Sequence, residues 1–281
     1  MTPSPQLRFD EIGYWSEVKL DIISKYARAY STVIAAQTKP KMKHVYIDGF
    51  SGAGEHISKH DGKMIPGSPL NALNVNPPFC EYYLVDLNPL KTDHLNDLIG
   101  ERDDVFIRNG DCNCVLLDQV FPNVKYEDYS RGLCVLDPYG LDLDWQVINT
   151  AGQMKSIEIF LNFPVLDMNR NVFWRNPEGV RESDIERMNR FWGDDSWKKA
   201  VYRSQTTLFG EEEVKNDSEV ITEAFRNRLM DEAGFKFVPN PMPMRNSNGG
   251  IVYYLFFASQ NEKGKKIVED IFGTYRKRGY R

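Results

Sequence analysis

Small and acidic residues are concentrated in one short segment of the chain, residues 45–54. An apolar run, residues 45–47, leads into Asp48 and a turn of mostly small residues. Residues without bulky side chains let the backbone approach a ligand closely, and open α/β sheets bind ligands at the carboxyl ends of their strands. The segment therefore predicts a site for a nucleoside cofactor, contacted by Asp48, Phe50, Ser51, Gly52, Ala53 and Gly54.

The spacing of the glycines bears on which nucleoside cofactor is expected. A dinucleotide-binding turn has the pattern G-x-G-x-x-G before a helix, whereas here Gly52-x-Gly54 is followed by Ile57 at the third position. A nicotinamide cofactor is therefore the weaker interpretation. A tight turn that binds no ligand is the alternative.

Two further acids follow the next apolar runs at matching places. Asp86, with Leu87 beside it, ends the second run, and a carboxylate there can accept hydrogen bonds from both ribose hydroxyls. Asp111, followed by Cys112, comes after the third run and can accept from an adenine amino group. Either aspartate could instead be a helix N-cap, a common role at a strand-to-helix junction.

The fourth apolar run ends in Asp137-Pro138-Tyr139-Gly140. Methyl transfer to an exocyclic amino nitrogen requires acceptors for the two amino hydrogens and an aromatic wall for the flat ring. Asp137, the Pro138 carbonyl and Tyr139 supply these parts and are the predicted catalytic residues. A strand-terminal turn, in which Asp-Pro and a following Gly are common, is the alternative interpretation.

Elements that position these residues can be predicted from hydrophobic periodicity. Apolar runs predict strands at residues 44–48, 81–86, 105–108, 133–137 and 157–163. Amphipathic segments predict helices at residues 15–36, 68–75, 89–99, 112–121 and 144–154. Strands that alternate with helices are typical of an α/β protein with a doubly wound, mostly parallel sheet.

This alternation ends after residue 163. Residues 164–215 are rich in Arg, Asn and Trp without a strand-like run, and predict a helical insertion whose Arg170, Asn171 and Trp174 bind substrate as a lid. A helix (218–233), a short strand (235–239), a long strand (250–259) and a terminal helix (263–272) then complete a sheet of the Rossmann-like methyltransferase type. The expected organisation is a cofactor-binding part, 1–163, the insertion, 164–215, and a completing part, 216–281.

Composition limits the partners and the location. The net charge of −5 argues against a protein that binds nucleic acid over its whole surface, although residues 261–281 hold seven Lys or Arg against three Asp or Glu. No apolar run reaches the ~20 residues that a membrane span needs, and no export signal is visible, which predicts a cytoplasmic protein. The four cysteines and the His56/His60 pair lack the spacing of a metal site.

Several motifs together resemble a known family. They are Trp15-x-x-x-Lys19, the segment from Tyr46 to Gly54, Gly67-Ser68-Pro69, Leu136 to Gly140, and Asn162-Phe163 with Asn169-Arg170-Asn171. Over roughly residues 12–275 the chain is similar to the three-Cys-motif partner family, bacterial and phage-associated proteins that look like S-adenosylmethionine-dependent methyltransferases. The resemblance implies S-adenosylmethionine as cofactor. It also implies a protein partner with a three-cysteine motif, itself similar to radical enzymes that use an iron–sulfur cluster.

The function expected from these residues together with the resemblance is S-adenosylmethionine-dependent methylation of an amino nitrogen of a nucleic-acid base. Cytosine-C5 chemistry is excluded because the chain has no Pro-Cys nucleophile. Two alternatives remain. One is a cofactor-binding partner subunit without turnover, and the other is a nicotinamide-dependent oxidoreductase.

Overall fold

A central sheet and its flanking helices are seen in a computed structural model that describes residues 7–207 and 210–278. The strands are β1 (Glu11–Ile12), β2 (Lys43–Asp48), β3 (Glu55–Ser58), β4 (Met64–Pro66), β5 (Glu81–Asp86), β6 (Val105–Asn109), β7 (Ser130–Leu136), β8 (Ile157–Phe163), β9 (Tyr202–Thr207), β10 (Gly210–Lys215), β11 (Met242–Arg245) and β12 (Ile251–Ala258). The helices are α1 (Tyr14–Ala35), α2 (Ser68–Leu73), α3 (Pro89–Ile99), α4 (Cys112–Val115), α5 (Trp145–Met154), α6 (Val165–Asn171), α7 (Glu182–Trp192), α8 (Trp197–Val201), α9 (Ser218–Asp231) and α10 (Glu262–Lys277). Within the described ranges, no helix combines the length and apolar character that crossing a membrane requires.

The central sheet has seven strands in the order β11-β12-β8-β7-β2-β5-β6. Strand β2 pairs in parallel with both β5 and β7, so the direction of winding reverses at β2. Strand β12 is antiparallel to β8 and to β11. The predicted fold class, a doubly wound, mostly parallel sheet of the Rossmann-like methyltransferase type, is confirmed. The reversal places a crevice at the carboxyl ends of β2, β5 and β7.

Helices cover both faces of this sheet because its strands are apolar on both sides. Alternate residues of β2 illustrate the arrangement: Tyr46 belongs to the core cluster on the side of α1, α2, α3 and α10, whereas Val45 and Ile47 belong to the cluster on the side of α4, α5 and α9. All three side chains are fully buried. The sheet is therefore a rigid base for the loops at its carboxyl edge.

A small second sheet differs from what the sequence predicts. Residues 55–58, where the sequence predicts no strand, form β3, which pairs with β4 and, in parallel, with β1 near the start of the chain. The backbone N–H of Ile57 donates to the Asp10 carbonyl at 3.0 Å. This pairing brings the N-terminal segment to the same edge as the glycine turn.

Two other predictions need correction. Residues 164–215 are mainly helical but also contain the antiparallel hairpin β9–β10. The strand expected at residues 235–239 is wrong: Phe237 makes one isolated bridge to Ser259, and the strand begins at Met242. Pro239 and Pro241 explain the shift, since proline has no N–H to continue a ladder. Pro243 is tolerated because β11 is an edge strand.

Candidate functional site

The glycine turn, residues 49–54 after β2, is held in place by the buried side chain of Asp48. This side chain is fully buried, and its Oδ1 accepts from the Phe50 N–H at 3.2 Å. Its Oδ2 accepts from the Tyr46 hydroxyl at 3.4 Å. Burial raises the pKa of Asp48 to about 6, although hydrogen bonds from Ser68 and Phe50 act in the opposite direction and lower it. Asp48 therefore shapes the turn from the interior and lines neither of the cavities described below.

The turn is joined to the next strand through Ser51 and Gly52. Ser51 donates from its N–H and its hydroxyl to the Val85 carbonyl, at 2.8 and 3.1 Å. The Gly52 N–H donates to Asp86 Oδ2 at 2.9 Å. Gly52 has a φ of +63°, and nothing lies within 4 Å of the position a Cβ would take. The open space above Gly52 is what close approach of a ligand requires.

Asp86 lies beside a cavity of about 450 Å³, here named the Asp86 cavity. Its carboxylate is 5% exposed and also accepts from the Asn88 N–H at 2.8 Å. The predicted contacts that line this cavity are Phe50, Asp86, Leu87, Asp111, Cys112 and Tyr139. Its charged lining residues are four acids and one base: Asp86, Asp111, Asp142, Asp144 and Arg190.

Asp111 is a helix N-cap, as the alternative interpretation held. Its Oδ1 accepts from the N–H groups of Asn113 and Cys114 at 3.0 and 3.2 Å. The side chain is nevertheless exposed and lines the Asp86 cavity. A cap bond uses one oxygen, so Oδ2 keeps acceptor capacity toward a ligand.

Asp137 is held by two side chains from distant parts of the chain. Its Oδ2 forms an ion pair with Lys19 of α1, and its Oδ1 accepts from Asn162 Nδ2 of β8 at 2.8 Å. Burial alone would lower the pKa of Lys19, but the Asp137 carboxylate raises it above its usual range. Lys19 is therefore a permanent cation that orients Asp137.

Tyr139 is held by a second ion pair. Its hydroxyl accepts from Lys91 Nζ of α3 at 2.9 Å and donates to Asp10 Oδ2 at 3.0 Å, and Lys91 is 2.6 Å from the same oxygen. Burial raises the pKa of Tyr139 to about 12, so the hydroxyl is neutral. The residue is 55% exposed. The Tyr139 side chain is thus anchored at its hydroxyl end while much of its surface is open.

Asp137 lines a second cavity of about 480 Å³, here named the Asp137 cavity. The predicted residues that line it are Phe50, Gly52, Asp137, Pro138, Tyr139 and Arg170. Phe50 and Tyr139 line both cavities, which therefore meet at these two side chains. The structure brings none of the following to either cavity: Asp48, Ser51, Ala53, Gly54, Asn171 and Trp174.

The insertion lies over the same edge of the sheet. A Cβ on Gly140 would be 2.9 Å from Asp167 Oδ2, so α6 packs directly on the Asp137–Gly140 turn. Arg187 of α7 is 3.1 Å from Asp142 of the following loop. Asn171 donates to Asp167 at 2.9 Å, and Trp174 Nε1 donates to the Arg170 carbonyl at 2.7 Å. These two residues buttress α6, and Arg170 alone of the three reaches the cavity.

Several residues near these cavities are not among the predicted site residues. They are Asp10, Lys19, His56, Lys91 and Asn162. Two of them can be noticed in the sequence as polar residues inside apolar patterns: Lys19 in the apolar stripe of α1 and Asn162 in the apolar run of β8. Burial and then the Lys19 charge lower the pKa of His56, which keeps its imidazole neutral beside the cavity. Asp10 and Lys91 carry no sequence signal.

Metal-binding groups were not expected from the sequence. In the part of the chain that the structure describes, no three His, Cys, Asp or Glu side chains are placed to hold a metal ion. Cys112 and Cys134 are buried, whereas Cys80 and Cys114 are exposed, and all four are free thiols. Cys112 therefore contributes to the Asp86 cavity as a small apolar wall.

Comparison with known proteins gives distant structural likenesses. No family model matches the chain, and no curated protein sequence matches it. The protein LPL1258 from Legionella pneumophila is 16% identical, with 91% of this chain and 92% of that chain covered and a TM-score of 0.47. The DszA carbon methyltransferase is 12% identical, with coverages of 87% and 54% and a TM-score of 0.46. The trans-methyltransferase CalH in complex with SAH is 13% identical, with coverages of 88% and 58% and a TM-score of 0.37.

These likenesses are too distant to transfer an activity or a ligand to this chain. The resemblance of its motifs to the three-Cys-motif partner family stays a prediction as well, since no family model supports it. A functional assignment therefore depends on the residues at the two cavities.

Proposed function

We propose that this protein is an S-adenosylmethionine-dependent methyltransferase that acts on an amino nitrogen of a nucleic-acid base. The observation that carries the proposal is the meeting of two cavities at Phe50 and Tyr139. One cavity holds acceptors for a nucleoside, and the other holds Asp137 and Pro138. A cofactor in the first can present a methyl group to a substrate in the second.

The charge of the Asp86 cavity favours this cofactor over a nicotinamide dinucleotide. Its four aspartates face a single arginine, and Arg190 is itself 3.5 Å from Asp144. A pyrophosphate needs cations or a free helix N-terminus, which four carboxylates oppose. S-adenosylmethionine has no phosphate and carries a positive sulfonium. The same residues supply acceptors for its hydroxyl groups, through Asp86, and for its adenine amino group, through Asp111.

The Asp137 cavity suits an amino group as methyl acceptor. S-adenosylmethionine, when bound, supplies an electrophilic methyl group. The Asp137 carboxylate and the Pro138 carbonyl accept the two hydrogens of the target amino group, which directs its nitrogen lone pair out of the ring. Each carboxylate oxygen has two lone pairs, so Asp137 can accept another hydrogen bond beyond those from Lys19 and Asn162. These two partners fix its orientation.

A nucleic-acid base as target is supported by the open side of the site. The exposed ring of Tyr139 offers a surface on which a flat base can stack. Arg170 lines the same cavity, is exposed, and has no carboxylate within ion-pair distance among the described residues. A guanidinium without a carboxylate partner is a suitable contact for a backbone phosphate. The insertion then acts as the substrate lid.

The experiment that tests the proposal uses the purified chain with methyl-labelled S-adenosylmethionine. Single-stranded and duplex DNA and RNA are supplied separately, each with and without a co-produced three-cysteine partner protein. We expect label in one nucleic acid. Asp137→Ala should retain cofactor binding and lose most of the transfer, because its hydrogen bonds matter chiefly as the nitrogen becomes tetrahedral.

Tyr139→Ala separates substrate binding from cofactor binding. Loss of the stacking surface should weaken nucleic-acid binding by roughly 1–3 kcal/mol, with a smaller effect on the cofactor. Asp118→Ala, an exposed acid away from both cavities, is the control. Label that appears only in a protein or a small molecule contradicts the base target. If nothing is labelled with the partner present, the chain is a cofactor-binding subunit without turnover.

A further inference from the structure

A third cavity, of about 490 Å³, opens at the amino ends of the sheet strands. Its walls come from the end of α1, the beginnings of β7 and β8, and the beginning of α10. We name it the amino-edge cavity. It lies at the edge of the sheet opposite the Asp86 and Asp137 cavities and has no role in the proposed methyl transfer. Its volume is in the range of small-molecule sites.

The charged residues that line the amino-edge cavity are four cations, Arg131, Lys155, Lys236 and Lys263, and two acids, Glu158 and Glu262. None of the four cations has a carboxylate within ion-pair distance among the residues that the structure describes. The neighbouring lysines of α10 do, with Lys266 2.9 Å from Glu262 and Lys265 3.8 Å from Glu269. The cations of the cavity are therefore available to an anion, on a protein whose net charge is negative.

Local structure fixes the Arg131 side chain and constrains the backbone, but not the side chain, of Lys155. The Arg131 guanidinium stacks on the Tyr126 ring at 3.7 Å and donates to the carbonyls of Tyr126 and Ser130 at 3.2 and 2.7 Å. Lys155 has a φ of +59°, a left-handed conformation that favours glycine or asparagine over lysine. A fixed guanidinium loses little entropy when it binds an anion.

The inner wall of the cavity is polar. It includes Glu158, whose carboxylate accepts from Tyr26 and from Ser259 Oγ, the latter at 2.8 Å. Two further lining residues, Tyr30 and Gln260, have buried side-chain oxygens with no hydrogen-bond partner among the described residues. Buried polar atoms are usually paired, so these oxygens point to a polar ligand group nearby.

We propose that the amino-edge cavity binds a small phosphorylated metabolite. Its phosphate contacts Arg131 and the three lysines, and its hydroxyl groups reach the polar wall at Glu158 and Gln260. A phosphate ion by itself fills only part of about 490 Å³, so the organic portion of the ligand occupies the remainder. This site is independent of the proposed function, because it shares no lining residue with the other two cavities.

Isothermal titration calorimetry of the full chain tests the proposal, with ribose 5-phosphate, inorganic phosphate and ribose as probes. Ribose 5-phosphate should bind most tightly, phosphate more weakly, and ribose least. Arg131→Gln and Lys155→Gln should each weaken ribose 5-phosphate binding about tenfold, the loss of one charge-assisted hydrogen bond. Lys265→Gln, on α10 but outside the cavity, is the matched control and should bind normally.

Three results would overturn this site. The first is the absence of binding heat with ribose 5-phosphate. The second is equal affinity for ribose 5-phosphate and phosphate, which would remove the polar wall from the site. The third is a result in which Asp86→Ala no longer binds ribose 5-phosphate while Arg131→Gln binds it normally, which would place the sugar phosphate in the Asp86 cavity. Circular dichroism of each variant shows that the fold is intact.

Discussion

Asp86 is the residue on which cofactor affinity should depend most directly. Its carboxylate is buried beside the cavity and already accepts two backbone N–H groups. We expect Asp86→Ala to weaken S-adenosylhomocysteine binding by roughly 1.5–3 kcal/mol, the range for hydrogen bonds to a charged group. Calorimetry measures this loss against Asp118→Ala as the control. Unchanged affinity would remove Asp86 from the site.

Two buried tyrosines of α1 should respond oppositely to loss of their hydroxyls. Tyr26 donates to the buried Glu158, whereas the Tyr30 hydroxyl has no described partner. Tyr26→Phe should therefore lower the free energy of unfolding by about 1–3 kcal/mol, and Tyr30→Phe should leave it unchanged or raise it slightly. Urea denaturation compares them directly. A larger loss in Tyr30→Phe than in Tyr26→Phe would contradict the hydrogen-bond assignment.

Glu158 should make stability depend on pH. Burial raises its pKa from the ordinary 4.5 to about 7, so in the folded protein it stays protonated over a range in which the unfolded chain is ionised. The contribution of Glu158 to the free energy of unfolding is fully present below about pH 4.5. It decreases by about 3 kcal/mol in total as the pH rises to about 7. Glu158→Gln should flatten that part of the profile in urea denaturation at pH 5 and pH 8. A parallel profile in the variant would assign the dependence to another group.

At the residue scale, the sequence indicates which side chains lie at strand ends, but not which distant side chains contact them. Asp86 and the Asp137–Tyr139 turn each follow an apolar run, which predicts their position at the carboxyl edge of the sheet, where the two cavities lie. The partners of Asp137 and Tyr139 could not be predicted, since Lys19 and Lys91 lie 118 and 48 positions away along the chain. Only the folded sheet brings such residues together.

Among the elements, the contact between α5 and the loop after α9 leaves no space for an added methyl group. A Cβ on Gly152 would lie 2.1 Å from the Ala233 carbonyl oxygen, which is backbone and cannot rotate away. Gly152→Ala should therefore destabilise the protein by about 3 kcal/mol or more.

Gly273 of α10 is the matched control for Gly152. Nothing lies within 4 Å of its Cβ position, so Gly273→Ala should raise the free energy of unfolding by up to about 1 kcal/mol through the higher helix propensity of alanine. Thermal denaturation of the two variants measures both effects. If both variants melt at the wild-type temperature, the close approach at Gly152 is wrong.

Elements with strong periodicity could be predicted closely, and polar elements could not. The sequence predicts strand β8 at its observed bounds because all seven of its residues are buried, and buried parallel strands form nearly continuous apolar runs. The hairpin β9–β10 was missed because Tyr202–Thr207 is mostly polar. Strand β9 is defined by its pairing with β10 and not by a hydrophobic face.

At the scale of the whole molecule, helices from the two ends of the described chain pack together. Helix α1 contacts α10 through Asp21 and Lys25, which both bond to Tyr275. Strand β12 in turn lies between β8 and β11, inside the sheet. The order of elements along the chain predicted these late strands as the completion of the sheet, but not that the last strand would be internal.

The internal position of β12 has a consequence for biosynthesis. Strand β8 is synthesised about a hundred residues before β12, its antiparallel neighbour. At the usual rate of translation, the edge of β8 therefore lacks this partner for roughly 5–20 s. That edge carries Phe160 and Phe163, and an unpaired apolar edge is a template for aggregation. A nascent chain stalled between β8 and β12 should therefore require a chaperone, whereas one released after α10 should not.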